Sequence, residues 1–341
     1  MLTIRSTLTL LVALGAAFGT ASAVAQAQFG NDDLIAKARK EGAVVLYTAN
    51  QLESEQLLSK GFNARFPEIK VEIVRAPGSQ LIARIDAEAA GGKLRADVIE
   101  LSDGGLASRY LPQFDNYAPP NAADYPDSTR VGGKLWPKTT WGYVLSYNPA
   151  LVKNPPKSWS DLIDPKFDQK LGIIPAGAGG TTWSLAMFHR QVLGEAYWKA
   201  LAQKKFTFFS SDAPLASAVV RGEVTVAPLK SNSIIPMQRE GAPIRIVYPD
   251  DGVSITVSAA GIPRTAPNPN AARLFMNWVL SREGQDVWVE TSGGFSMLKG
   301  AKMPAGAEKL KLKLWVPDVK EYASLREAWI KEWNLLYNYR Q

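Results

Sequence analysis

The sequence predicts an α/β protein of two lobes, and three observations carry that reading. Short runs rich in Val, Ile and Leu alternate with helix-like segments, the pattern of β-α-β units in an open sheet with right-handed crossovers. The chain has 341 residues, and the about 315 that follow an N-terminal export tag exceed what one core usually serves. A stretch from Tyr110 to Asp127, rich in Pro, Asn and Asp and without sustained period, divides two such alternating regions.

Met1 to Ala27 reads as the tag: Arg5, an apolar run from Leu8 to Phe18, then overlapping small-x-small cleavage options between Ala21 and Ala27. The run is too short to span a bilayer, so a removed signal peptide and a destination outside the cytoplasm are expected. Asp32 to Lys40 reads as a helix ahead of a buried strand, Ala43 to Thr48. A helix over Glu53 to Phe66 is stopped by Pro67, and a strand follows at Lys70 to Arg75. Ala76-Pro77-Gly78 turns the chain into a helix over Leu81 to Ala90 and a strand over Asp97 to Leu101.

The second region begins near Trp136, with a strand over Trp141 to Tyr147 and a turn at Asn148-Pro149. Lys170 to Ile174, Phe206 to Phe209 and Val224 to Leu229 are strand-like, with helices over Thr182 to Val192 and Pro214 to Arg221 between them. Arg245 to Tyr248 leads back toward the first lobe, and Ser254 to Ala260 reads as another strand. Pro267 to Arg282 is expected as one helix, with an apolar face through Ala272, Phe275, Met276 and Val279. The tail, through Leu314-Trp315 to Leu325 and Tyr337, is basic and aromatic. The expected division is a signal peptide over 1–27, a first lobe of 28–108 with 250–300, and a second of 109–249 with 301–341.

Composition removes several function classes. There is no Cys, hence no disulfide, thiol nucleophile or thiolate metal site. With a single His, His189, expected to be structural, and no G-x-S-x-G or H-E-x-x-H, the common hydrolase and metalloenzyme signatures are missing. No enzymatic activity, cofactor or resident metal is expected. The net charge of +7 is spread along the chain, which argues against nucleic acid as a partner.

In open α/β sheets ligands bind beyond the carboxyl ends of strands. The loops at those places are small and polar: Tyr47 to Gln51, Pro77-Gly78-Ser79, Leu101 to Gly104 and Ala176 to Thr182. The last opens a helix, so its free N–H groups and Thr hydroxyls form the best anion cradle in the chain. It lacks the Lys of a P-loop and does not fit G-x-G-x-x-G, which disfavours nucleotides. Trp141 and Tyr143 share one face of their strand, where such a pair can wall a cleft or fill a core.

Several segments resemble one family. KEGAVVLYTA, GSQLIARIDAEAAGGKLRADVIELSD, WGYVLSYNPALV, SWSDLIDPKFDQKLGI, RGEVTVAP, YPDDG and PNPNAARLFMNWVLSREGQ are similar to periplasmic solute-binding proteins of ABC importers. The branch is the one that includes ferric-iron, thiamine, phosphonate and sugar-phosphate binders. The resemblance implies the type II two-lobe periplasmic-binding-protein fold, each lobe an open mixed sheet flanked by helices and joined to the other by hinge strands. It further implies a periplasmic monomer that closes on one small solute and presents it to an ABC permease in the inner membrane.

By position the resemblance implies ligand contacts from Thr48, Asn50, Gln51, Ser79, Ser102, Asp103, Trp141, Tyr143, Gly179, Gly180, Thr181, Thr182 and Asn232. Ferric binders carry two adjacent tyrosines after the G-E-x-x-x-A strand, where this chain has Lys230-Ser231-Asn232-Ser233. An organic anion (phosphonate, phosphate ester or carboxylate) is therefore expected, with Arg84 or Lys230 adding charge if they point inward. A cationic solute such as a polyamine or thiamine, held by Asp103 or Asp251 and stacked on Trp141 or Tyr143, is the alternative, ahead of ferric iron. A ligand sensor or an enzyme on the same fold is the alternative class.

Overall fold

Two antiparallel strands, Trp136–Tyr147 and Val253–Gly261, run through both lobes and join their sheets into one. The computed structural model describes residues 29–76, 78–102, 104–165 and 169–340. The signal peptide expected over 1–27 lies outside the described residues. In chain order the elements are α1 (Asp32–Glu41), β1 (Ala43–Thr48), α2 (Leu52–Arg65), β2 (Lys70–Arg75), α3 (Gly78–Ala90), β3 (Val98–Leu101) and α4 (Gly104–Tyr110). After them come β4 (Trp136–Tyr147), β5 (Leu171–Ile173), α5 (Gly180–Gln191), α6 (Glu195–Ala202), β6 (Phe206–Phe208), α7 (Asp212–Arg221), β7 (Val226–Lys230) and α8 (Ser231–Arg239). The rest are β8 (Arg245–Val247), β9 (Val253–Gly261), α9 (Pro269–Val279), α10 (Arg282–Ser292), β10 (Leu314–Trp315), α11 (Val319–Ser324) and α12 (Arg326–Leu336).

The strand order is β2-β1-β3-β9-β4-β7-β5-β6. β2, β1 and β3 are parallel, as are β7, β5 and β6. β9 and β4 enter antiparallel between the two parallel sets, so each lobe has a mixed sheet. β1 reads as a continuous apolar run because it lies inside the sheet with helices on both faces. On one face Phe62 of α2 meets Phe275 and Trp278 of α9 at ring-centroid distances of 5.2 and 5.8 Å. Leu81 and Ile85 of α3 cover the other. In the second lobe Trp159, Trp183 and Trp198 are buried in one cluster, which also takes in Trp333 and Tyr337 from the C-terminal helix.

Two departures from the sequence reading have physical causes. β4 starts at Trp136 rather than Trp141, because Pro137 and Lys138 break the apolar pattern without breaking the strand; its register shifts there instead. The helix expected over Pro267 to Arg282 is two helices: α9 ends at Val279, and Ser281 caps α10 by accepting from the Gly284 N–H at 3.2 Å. Arg245 to Tyr248 starts the return to the first lobe, as read: β8 runs antiparallel along Leu145 to Tyr147 of β4, and β9 continues along Tyr143 to Trp136 to reach β3.

Residues 111–135, grouped by sequence with the second lobe, make their contacts with the first. Tyr117 donates to Asn277 Oδ1 at 2.8 Å and Tyr125 to the Leu280 carbonyl at 2.7 Å. The crossing between lobes therefore lies within β4 itself. There Gly142 separates Trp141 from Tyr143, and a Cβ on it would come within 2.2 Å of the Phe295 ring.

Candidate ligand-binding cleft

The loop after β1 and the end of β3 meet the first half of β4 in a buried polar network. Lys138 is fully buried, 2.7 Å from Glu55 Oε2 and 2.8 Å from Glu100 Oε2. Thr48 donates to Glu100 at 3.1 Å, and Thr139 donates to its other oxygen at 2.5 Å. The Asn50 amide lies 2.9 Å from Glu55, 2.8 Å from Glu100 and 2.9 Å from the Thr139 hydroxyl. Burial pushes Glu100 up to about 7, against the pull of Lys138 and with the Glu55 charge adding to the rise. Burial also works against Glu55 and Lys138, but the charges around them prevail: Glu55 is held below its ordinary value and Lys138 above its own. Thr48 and Asn50 are thus engaged within the first lobe. Gln51, the next residue, reaches across: its Oε1 accepts from Asn232 Nδ2 at 3.4 Å.

The opposite wall is built from α5, β4, β7 and the starts of α7 and α8. The hydroxyl of Tyr143 is buried without a hydrogen bond of good geometry among the described residues, near the Thr181 side chain and within reach of the Asp212 charge. Burial first, and then the Asp212 charge, raises this phenol well above its ordinary value, so it keeps its proton. Lys230 faces Tyr143 across the β4–β7 pair and lies 3.1 Å from Asp212 Oδ2. Asp212 Oδ1, Asn232 Oδ1 and Ser233 Oγ are buried and find no partner among the described residues. Thr182 is differently placed: its hydroxyl donates to the Ala176 and Gly179 carbonyls and accepts from the Gly179 N–H, closing the loop on itself. Space is open where a Gly179 Cβ would stand, whereas Gly180 packs against the Tyr322 hydroxyl, 2.7 Å from its Cβ position.

Of the other residues implied for the site, Trp141 packs edge to face on Trp288 at 4.6 Å in the first-lobe core. Ser79 lies in the first turn of α3, and Asp103 lies outside the described residues. Ser102 helps line a cavity of about 40 Å³ with Thr129, Thr256, Val316, Val319 and Tyr322. Arg84 points to Glu88 at 2.7 Å and stacks over Tyr47, so it braces α3 on β1. His189 is buried against Trp159 and Tyr197, and burial lowers it to about 3, a neutral core imidazole.

Sequence reading missed Glu55, Glu100, Lys138 and Asp212. A lone Glu inside the four-residue strand VIEL and a Lys inside β4 were signals of buried charge, since such groups enter a core only when paired. Tyr322 was missed as well. Its hydroxyl donates to the Gly180 carbonyl at 3.0 Å, and Trp183 donates to its backbone carbonyl at 2.9 Å. Three residues earlier on α11, Val319 packs on the first-lobe cluster under α3, so one short helix touches both lobes.

An uncharacterized protein of Haemophilus influenzae is 27% identical over 191 residues, 53% of this chain and 55% of that protein, so the chain spans about half of that relative. A Salmonella paratyphi A protein named as a candidate periplasmic binder of 2-aminoethylphosphonate is 26% identical over 286 residues, 78% of this chain and 82% of its own. Iron-bound HitA from Pseudomonas aeruginosa is similar in structure, with a TM-score of 0.67, 23% identity and coverage of 85% of this chain and 99% of that one. At that identity the likeness concerns the fold, the type II two-lobe architecture with hinge strands. The sequence profile described as bacterial extracellular solute-binding protein matches residues 58–313, well over half of the chain. This chain belongs to the bacterial extracellular solute-binding protein family.

Proposed function

We propose that the protein is the extracytoplasmic receptor of an ABC importer, without catalytic activity, exported to the periplasm by residues 1–27. It captures a small organic anion (phosphonate, phosphate ester or carboxylate) between its lobes and delivers it, as a monomer, to an inner-membrane permease. The observation that carries the choice of an anion is the wall made by α5. This helix of 12 residues starts at a glycine loop, and the N–H groups of Gly180, Thr181 and Thr182 have no acceptor among the described residues. Beside them stand Tyr143, a donor kept protonated, and Lys230. Free amides, the positive end of a helix dipole, a phenol and an ammonium together favour negative charge. Gln51 and Asn232, already in contact across the lobes, would close over it.

Ferric iron is disfavoured because Lys230 to Ser233 put no phenolate at the place where ferric binders carry two. A thermal-shift screen of the mature protein tests the reading against phosphonates, sugar phosphates, carboxylates, polyamines, thiamine and ferric citrate. At a hundredfold excess over Kd a ligand of the native state adds about 2.7 kcal/mol. A shift with one class of anion is expected; a shift confined to polyamines, thiamine or ferric citrate overturns the anion reading.

A further inference from the structure

α11 lies at the seam between the lobes and is held unequally on its two sides. Towards the second lobe, the Tyr322 hydroxyl donates to the Gly180 carbonyl at 3.0 Å, the Trp183 indole donates to the Tyr322 carbonyl at 2.9 Å, and the Gln191 amide donates to Glu321 Oε2 at 2.8 Å. The Tyr322 ring is buried beside Trp183, with centroids 6.2 Å apart. α12 follows at once and buries Trp333 and Tyr337 in the same cluster. Towards the first lobe, α11 lies along α4 and packs the half-buried Val319 on the cluster under α3. Packing is incomplete there. The cavity of about 40 Å³ is lined by Val316, Val319 and Tyr322 together with Ser102, Thr129 and Thr256, and the Thr256 hydroxyl is buried without a partner among the described residues. The same seam brings two strand-end loops together: a Cβ on Gly180, the first residue of α5, would stand 2.7 Å from the Tyr322 hydroxyl and 3.7 Å from the Ser102 carbonyl after β3.

We propose that α11 is an interlobe strap, anchored on the second lobe by Tyr322 and resting on the first through Val319, that favours the closed arrangement of the lobes. Tyr322 is then a positioning residue, since its hydroxyl ties the start of α5 to the helix that rests on the first lobe. The inference rests on the two-lobe receptor reading above and is independent of the charge of the solute. Side chains that border a void have lost their contacts on that side. The Val319 contact is therefore the weaker of the two, and the one to part when the lobes rotate about β4 and β9.

Double electron–electron resonance on the full mature chain, without solute, tests it. The chain has no Cys, so Lys40→Cys on α1 and Lys205→Cys ahead of β6, both exposed, carry the only spin labels. Short and long interlobe distances are expected, and Val319→Ala should lower the ratio of short to long about threefold or more. Val319→Ile places one more methylene at the cavity and should raise that ratio. Tyr322→Phe, which keeps the ring and loses the bond to Gly180, should lower it. Two distances whose ratio none of the three variants changes overturn the strap and leave the receptor reading standing. A lower urea midpoint with an unchanged ratio marks a merely structural contact and likewise overturns it. A single distance shared by wild type and variants overturns the strap, and one that also stays fixed with each solute class of the thermal-shift screen added overturns closure on a solute as well.

Discussion

The two walls of the cleft use the same kinds of side chain and leave them in opposite states. On the first lobe Thr48, Asn50, Glu55, Glu100, Lys138 and Thr139 bond to one another. On the second, Tyr143, Asp212, Asn232 and Ser233 keep buried atoms without a partner among the described residues. A satisfied network in a low-dielectric interior stiffens what it joins, here the loop after β1 to the hinge strand β4. An unsatisfied one is where a bound group would lower the free energy most, because the desolvation of those atoms is already present without it. The comparison teaches that polar residues after strand ends are not equivalent: those of the first lobe bond to one another, and those of the second keep atoms open to a partner.

The largest effect that would sharpen this contrast is on stability. Lys138→Met leaves two buried carboxylates without their counter-ion, and a loss of about 3–5 kcal/mol is expected from urea denaturation. A loss below about 1 kcal/mol would break the comparison at its first-lobe end. Next, Tyr143→Phe removes an unpartnered hydroxyl, so the empty protein should keep its midpoint while binding of an anionic solute weakens by about 1.5–3 kcal/mol in calorimetry. A stability loss with unchanged affinity would show that this wall is structural too.

A smaller effect appears as a slope with pH. Glu100 is raised from 4.5 to about 7, so the native state holds a proton that the unfolded chain releases. Its contribution is most favourable below pH 4.5 and is lost as pH rises through 7. The stability difference between wild type and Glu100→Gln should therefore fall between those limits, by at most about 1.4 kcal/mol per pH unit. A flat difference would mean that Glu100 is ionised throughout. The smallest effect is Gln51→Ala, which removes one long interlobe hydrogen bond; solute affinity should drop by no more than about 1 kcal/mol. A larger drop would make Gln51 a recognition residue in its own right.

Much of the fold was legible because buried strands and amphipathic helices write their periods into the chain. β1 and β2 have the bounds that the sequence reading assigned to them. α4, α6, α8, α10, α11 and α12 were not read as helices. α8 carries Pro236 in its interior, and α10 begins two residues after a segment that continues the apolar pattern of α9. Of the residues implied for the cleft, Tyr143 and Asn232 carry buried atoms without a partner among the described residues, and Gln51 bonds to Asn232. The hydroxyls of Thr48 and Thr182 carry the same signal in the sequence and are turned into local bonds, a distinction that rests on which acceptor lies within about 3 Å.

By itself the sequence determined the α/β class, the alternation into two lobes, the absence of thiol chemistry and the glycine-opened helix start. Each depends on local periodicity or composition, which short segments carry without knowledge of their neighbours. Only the tertiary structure decided which polar groups are satisfied and which remain free. Glu55, Glu100 and Lys138 lie far apart in the chain and meet as one buried cluster, while Asp212 meets Lys230 only when α7 is laid beside β7. Hydrogen bonding and charge pairing act over a few ångströms between residues distant in sequence, so the order of the chain alone does not reveal them.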